Sequence, residues 1–393
     1  MKKNSKSLAL LSLMCCFGVF LAGCTGGSST GSGADSAGVS SAVSEVPLVP
    51  EVTSPVHEVG RISGRYVLQD GAVCLDWTNA YVEIRFLGQS LSVSLSSAES
   101  ESDYTAYVRA FFDGAEDQTF TVGAIKTYQT PESLDYGEHT VRLVRLTEAH
   151  NASLLIREAT VRSGDNAKGA AFLEAEPAPV RKIEFIGDSI TAGFGNTGTS
   201  GRYVSAEQDG LKTYAALLAE HFDAEGHFVA ISGRGVYVNN GGSKAGTLSE
   251  VFTYASPVTK DVWDTQQWQP DLVVINAGTN DVTGGASSAQ LKEAAVTLLQ
   301  QVHAAYPKAK ILWTYGMMRQ NLSQSLSDAV ETFRQESGAD IRFALMQPAS
   351  GQELGAVGHP NEAAHRRFAD ALIPEITALT GWESRPPASL GLE

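Results

Sequence analysis

Apolar residues change their spacing partway along this chain, and that spacing dictates which faces of a strand can be buried. Between about Val56 and Ser163 they alternate, as in Val82, Ile84 and Phe86, in Leu91, Val93 and Leu95, in Phe120 and Val122, and in Val141 and Leu143 with Leu146. A period of two means strands with one face buried and one face wet. Gly and Asp punctuate the stretch at Asp70-Gly71, Leu87-Gly88, Asp113-Gly114 and Tyr136-Gly137, the short connections of an antiparallel sandwich. A jelly-roll-like β-sandwich over residues 57–165 is therefore expected.

From Arg181 onward the runs are short, apolar and continuous: Ile183-Glu184-Phe185-Ile186, Phe228 to Ile231, Leu272 to Ile275, Ile311 to Trp313 and Phe343 to Leu345. Strands covered on both faces read this way. Between them, Leu211, Tyr214, Ala215, Leu218 and Phe222 recur at helical steps, as do Leu291, Ala294, Ala295, Leu298 and Val302. Alternating strands and helices imply a doubly wound α/β domain with a flavodoxin-like parallel sheet, here over residues 180–385. The Ala-, Glu- and Pro-rich stretch from Gly164 to Pro179 reads as the connection. The length beyond the N-terminal tail exceeds what one core usually fills, in keeping with two domains.

Open α/β sheets hold ligands beyond the carboxyl ends of their strands. Gly187-Asp188-Ser189-Ile190 follows the first expected strand, Ser232-Gly233 the second, and Gly278-Thr279-Asn280-Asp281 the third. His359-Pro360-Asn361 follows the fifth, with Asn361 suited to cap the last helix. Four blocks thus converge on one edge, and they supply the parts of a serine acyl-transfer site. A serine hydroxyl needs an imidazole to take its proton, and the developing oxyanion needs aimed donors. Ser189 is the candidate nucleophile and His359 the candidate base. The Ser189 and Gly233 N–H groups and the Asn280 amide are the candidate oxyanion donors. Asp281 reads as a structural turn residue. The aromatics Tyr237, Trp263, Trp268, Trp313 and Tyr315 fall in or near loops of the same edge, and Trp313 and Tyr315 are candidates for stacking on a sugar ring.

The N-terminus carries a different message. Lys2 and Lys3, an apolar run from Leu8 to Leu21, and Leu21-Ala22-Gly23-Cys24 form an export signal over residues 1–23. Small residues ahead of the cysteine resemble the lipobox of bacterial lipoproteins. That resemblance implies that Cys24 is the lipidated first residue of the mature chain, which is held on the outer side of a bacterial membrane. Residues 24–56 are dominated by Gly, Ser, Ala, Val and Pro and are too poor in large side chains to order themselves, so they read as a tether. Of the four cysteines, Cys15 and Cys16 leave with the signal and only Cys74 remains beyond Cys24. A disulfide within the folded part and a cysteine metal site are both excluded. A formal net charge of −15 argues against a nucleic acid partner.

On Ile186-Gly187-Asp188-Ser189-Ile190-Thr191-Ala192-Gly193, Asn276-Ala277-Gly278-Thr279-Asn280-Asp281 and Gly358-His359-Pro360-Asn361, with looser matches at Phe111-Phe112-Asp113-Gly114 and Gly137-Glu138-His139-Thr140-Val141, the chain resembles carbohydrate esterase family 2. These are secreted bacterial deacetylases with an N-terminal jelly roll and a C-terminal SGNH hydrolase domain. The resemblance implies removal of O-acetyl groups, often at the sugar 6-position, from xylan, mannan or glucomannan, without a metal or organic cofactor. SGNH enzymes usually carry an Asp three residues before the base histidine. Here that position is Ala356. The resemblance then implies a Ser189–His359 dyad oriented by a backbone carbonyl, with Glu353 as a fallback partner. Two other functions fit the same blocks: a GDSL-type lipase or thioesterase for longer acyl chains, and a glycan-binding surface lipoprotein without catalysis.

Overall fold

Each alternating apolar residue from Val82 to Leu95 is fully or almost fully buried, and the polar residues between them are partly exposed. The computed structural model describes residues 49–97, 104–132 and 134–383. The signal, Cys24 and nearly all of the tether lie outside the described residues. Two six-stranded antiparallel sheets form the sandwich. One runs in the order Val67–Gln69, Ala72–Leu75, Leu154–Arg162, Ser90–Ser97 and Lys126–Gln129, with Glu51–Pro55 also paired to Leu154–Arg162. The other runs Ala171–Leu173, Tyr81–Gly88, Gly137–Arg145, Ala106–Phe112 and Ala115–Val122, with Arg61–Ser63 also on Tyr81–Gly88. The strands Glu51–Pro55 and Ala171–Leu173 lie beyond the 57–165 expected from the pattern. Ala171–Leu173 belongs to the stretch read as a connection, which therefore contributes to the sandwich.

The α/β region is a five-stranded parallel sheet of β1 (Arg181–Gly187), β2 (Ala224–Ala230), β3 (Leu272–Asn276), β4 (Lys310–Tyr315) and β5 (Ile341–Leu345), in the order β2-β1-β3-β4-β5. Both faces are covered, as the continuous apolar runs require. Leu272 and Val274 of β3 pack with the helices α2 (Tyr214–His221) and α7 (Glu362–Thr380). Val273 and Ile275 pack with α5 (Ser288–Ala305) and α6 (Ser323–Ser337). At about 1.5–3 kcal/mol for each large side chain removed from water, these two layers supply the main driving force. The described residues all fall in one compact unit.

The polar exception inside β1 explains how the sandwich and the sheet join. Glu184 sits mid-strand with no exposed surface, in a run that otherwise reads as core. The sandwich answers it with Arg65, also buried, whose Nε and one terminal nitrogen donate to Glu184 Oε1 at 3.0 and 2.6 Å. The other terminal nitrogen donates to the Phe252 and Tyr254 carbonyls at 2.5 and 2.9 Å. Nearby, the Trp77 indole donates to Ala255 O at 2.7 Å and the Asn79 amide to Gly210 O at 2.9 Å. Removing one partner of a buried ion pair leaves the other charge uncompensated. Arg65→Ala should therefore lower the unfolding free energy by about 3–5 kcal/mol in urea titrations, and a loss below about 1 kcal/mol would mean that water reaches Glu184 readily.

Candidate active site

The chain turns sharply after β1, and the residues of the first block explain the turn. Gly187 leaves no room for a side chain, since a Cβ there would meet Thr191 Oγ1 at 2.2 Å. Asp188 then caps the one-turn helix α1 (Ser189–Ala192), its Oδ1 accepting from the Ile190 N–H at 3.0 Å. Ser189 becomes the first helical residue, just beyond the strand end. Among the described residues, no hydrogen bond engages its N–H or that of Gly233. Gly233 follows β2 with φ +79, a conformation that other residues adopt at a cost.

His359 arrives on the loop between β5 and α7, which is tied to the chain just after the nucleophile. Ala356 N–H donates to Gly195 O at 2.9 Å, Val357 N–H to Ser200 O at 3.0 Å, and Glu362 N–H to Asn196 O at 3.2 Å. Gly195 is required here, because φ is +64 and a Cβ would meet that of Ala356 at 2.8 Å. Asn361 caps α7 through Ala364 N–H at 3.2 Å, as its position suggested. The outcome is a 2.9 Å contact between His359 Nε2 and Ser189 Oγ.

Asn280 joins the blocks. Its amide donates to Asp188 Oδ2 at 3.1 Å and to the Arg234 carbonyl at 2.9 Å, so both of its N–H groups are engaged within the protein and the loops after β1, β2 and β3 are linked. Asp281 is structural, as expected. Its buried carboxylate accepts from the Val236, Tyr237 and Val238 N–H groups at 2.8, 2.7 and 3.0 Å and so shapes the loop after Gly233.

Trp313 and Tyr315 are not sugar platforms. Both are completely buried in β4, with the Trp313 indole donating to Ala277 O and the Tyr315 hydroxyl to Asn321 O. A run covered on both faces buries its aromatics along with its aliphatics, so proximity in sequence to the edge was misleading. The rings beside the base are instead Phe194, 4.6 Å from the His359 ring between centroids, and Tyr203, stacked on Phe194 at 4.2 Å. The sandwich adds Tyr104 and His150, which pack on Tyr203. No periodicity or motif marked these residues, because their role depends on two regions meeting. Glu353, the fallback acid, is held by Arg367 through two bonds of 2.6 and 2.8 Å.

Burial pushes the His359 ring down to about 4, against the opposing pull of the Val357 carbonyl, the Glu148 carboxylate and the Ala356 carbonyl. Its Nδ1 has no partner in hydrogen-bond geometry among the described residues, so these carbonyls act on it as neighbouring dipoles. Burial likewise pushes the Asp188 carboxyl up to about 7, against the Ile190 N–H. Among the described residues, no group of three or more His, Cys, Asp or Glu is placed to hold a metal ion.

A serine hydroxyl in hydrogen-bond contact with a partly buried imidazole is the side-chain arrangement of a serine carboxylic ester hydrolase. Residues 185–367 match the model of the GDSL-like lipase/acylhydrolase family and residues 62–169 that of the carbohydrate esterase 2 N-terminal region. The chain belongs to carbohydrate esterase family 2, within the SGNH/GDSL hydrolases. It is 30% identical over 81% of its length to the cellulase/esterase CelE of Acetivibrio thermocellus, and 30% identical over 58% of its length to an acetylxylan esterase/glucomannan deacetylase of Cellvibrio japonicus. It spans 39% and 61% of the lengths of those two relatives. The solved structure of a family two carbohydrate esterase from Clostridium thermocellum in complex with cellohexaose matches 82% of this chain and 100% of its own, with a TM-score of 0.75 and 27% identity.

A pH titration tests the electrostatics of the site. A ring whose folded value lies below its ordinary 6.5 stays neutral as pH falls, and the stability present above 6.5 is lost as pH drops toward about 4. NMR titration of the histidine rings should find His359 still neutral at about pH 5.5; a midpoint at the ordinary value would mean that the ring is solvated.

Proposed function

We propose that this chain is an exported carbohydrate O-acetyl esterase, acting on acetyl groups of xylan- or glucomannan-type glycans, chiefly at the sugar 6-position, through a Ser189–His359 dyad. One contact carries the reading: His359 Nε2 lies 2.9 Å from Ser189 Oγ. The names of the relatives support acetylated glycans as the substrate class, and the cellohexaose complex of a family member supports a glycan ligand.

In the proposed reaction His359 Nε2 takes the Ser189 proton as Oγ attacks the acetyl carbonyl. The Ser189 and Gly233 N–H groups receive the oxyanion. The Asn280 N–H on Asp188, the longer of its two bonds, is the one that can be shared with it. The imidazolium protonates the departing sugar oxygen, which leaves as a hydroxyl, and an acetyl-enzyme remains. Water, deprotonated by His359, then releases acetate and restores Ser189. The Ala356 and Val357 carbonyls orient the ring in place of an acid, since Glu353 is committed to Arg367.

Acetate release from acetylated xylan and glucomannan fragments tests the whole reading. Ser189→Ala and His359→Ala should each abolish most turnover, while Glu353→Gln stays within a few-fold of wild type. Loss of an acidic orienter in a triad costs on the order of 10⁴ in kcat, so a collapse of that size in Glu353→Gln would refute the dyad. Faster turnover of octanoyl than acetyl esters would point to a lipase or thioesterase. Glycan binding with no wild-type turnover would point to a binding protein.

The export signal and Cys24 support attachment to a bacterial membrane by lipid alone. Cys24→Ser should move the protein from the membrane fraction to the soluble fraction. Its retention would mean that the run from Leu8 to Leu21 is itself the anchor.

A further inference from the structure

A buried carboxylate at the catalytic edge, with no part in the proposed reaction, comes from the sandwich. Glu148 follows the strand Gly137–Arg145 and has no exposed surface. Its Oε2 accepts from the Ser232 N–H at 2.7 Å and its Oε1 from the Ser232 hydroxyl at 2.5 Å. Ser232 immediately precedes Gly233. The same carboxylate reaches toward the nucleophile: Gln208 Nε2 lies 3.4 Å from Oε1 and donates to the carbonyl of Ala192, the last residue of α1, at 2.8 Å. His150 Nδ1, 3.2 Å from Oε2, closes the other side.

We propose that Glu148 is a positioning residue of the catalytic centre: by gripping Ser232 at two points it holds the Gly233 N–H in place for the oxyanion, so that the β-sandwich is a structural part of the active site. This inference rests on the acyl-transfer reading of Ser189.

Charge and conformation both argue for a positioning task. A carboxylate beside an oxyanion donor is electrostatically unhelpful to a developing negative charge, so its presence there calls for another benefit. The loop supplies one, because Gly233 at φ +79 has a wide choice of backbone conformations and needs an external restraint. Charge-assisted bonds from a rigid strand end provide it. Glu148 is itself well fixed, since its carbonyl accepts from the buried Arg145 guanidinium at 2.8 Å, and the same guanidinium also binds the Leu75, Thr147 and Ala152 carbonyls. Further along the same loop the restraint comes from within the α/β region, where Asp281 accepts from the Val236, Tyr237 and Val238 N–H groups.

Glu148→Ala should lower kcat for an acetyl ester by roughly 10–100-fold with KM nearly unchanged, since a misplaced donor acts on the transition state. Glu148→Gln should recover most of the loss, because its amide oxygen can accept from the Ser232 N–H and its NH₂ can donate to the hydroxyl. A short alkyl boronic acid, whose tetrahedral adduct on Ser189 carries the oxyanion, should bind Glu148→Ala more weakly by the same factor. If Glu148→Ala does not fold, Glu148→Asp keeps the charge but withdraws the carboxylate, and should give about a 10-fold loss in kcat. Wild-type kcat in Glu148→Ala or Glu148→Asp, or a loss that Gln does not repair and boronate affinity does not follow, would overturn the inference. A wild type that releases no acetate from any ester would instead overturn the esterase reading itself.

Discussion

Glu184 has to be neutralised where it lies, in the first strand of the parallel sheet, and the cation that pairs with it is a guanidinium carried by the sandwich. Arg65 and Glu184 together are far costlier apart than together: each alone would bury an uncompensated charge. A buried ion pair adds little net stability over a well-packed apolar pair, but it discriminates between arrangements, because only one docking of sandwich on sheet satisfies both partners along with the Phe252 and Tyr254 carbonyls. That docking carries Glu148 to Ser232, Asn151 to Tyr203 and Asn79 to Gly210. The position of the sandwich relative to the catalytic edge is thus tied to charge burial some distance from it.

At the edge itself, precision comes from loops fastened to one another more than from any single residue. Asp188 caps the nucleophile helix and accepts from Asn280, Asn280 also grips the loop after Gly233, and the His359 loop is stitched to Gly195, Asn196 and Ser200. Backbone bonds of this kind hold the loop that carries His359. Burial keeps the imidazole neutral and so ready to accept a proton, at the expense of basicity. Phe194 and Tyr203 form the apolar wall that enforces this burial.

Position along a strand was readable because hydrophobic period reports which faces are covered, and the two periods here correctly separate a sandwich from a parallel sheet. The placement of Ser189 and His359 beyond strand ends was readable because turn and strand-end chemistry are local, and Asn361 announced the helix after His359. Trp313 and Tyr315 were misread for the opposite reason: which way a side chain of a doubly covered strand points is set by the layers packed on it, and both layers here are apolar. Glu184 was read as part of an apolar run because its partner is far away in sequence.

By itself, then, the sequence determined the two architectures, the loops beyond the strand ends that carry Ser189, Gly233, Asn280 and His359, and the lack of an acid three residues before His359, all of which depend on neighbours within a few residues. The tertiary structure decided which rings face the site, that Glu353 belongs to Arg367, and that a sandwich carboxylate holds the Ser232–Gly233 loop. Those are contacts between segments remote in sequence, and no local pattern encodes them, because their energy exists only once both regions have packed and water has left the space between them.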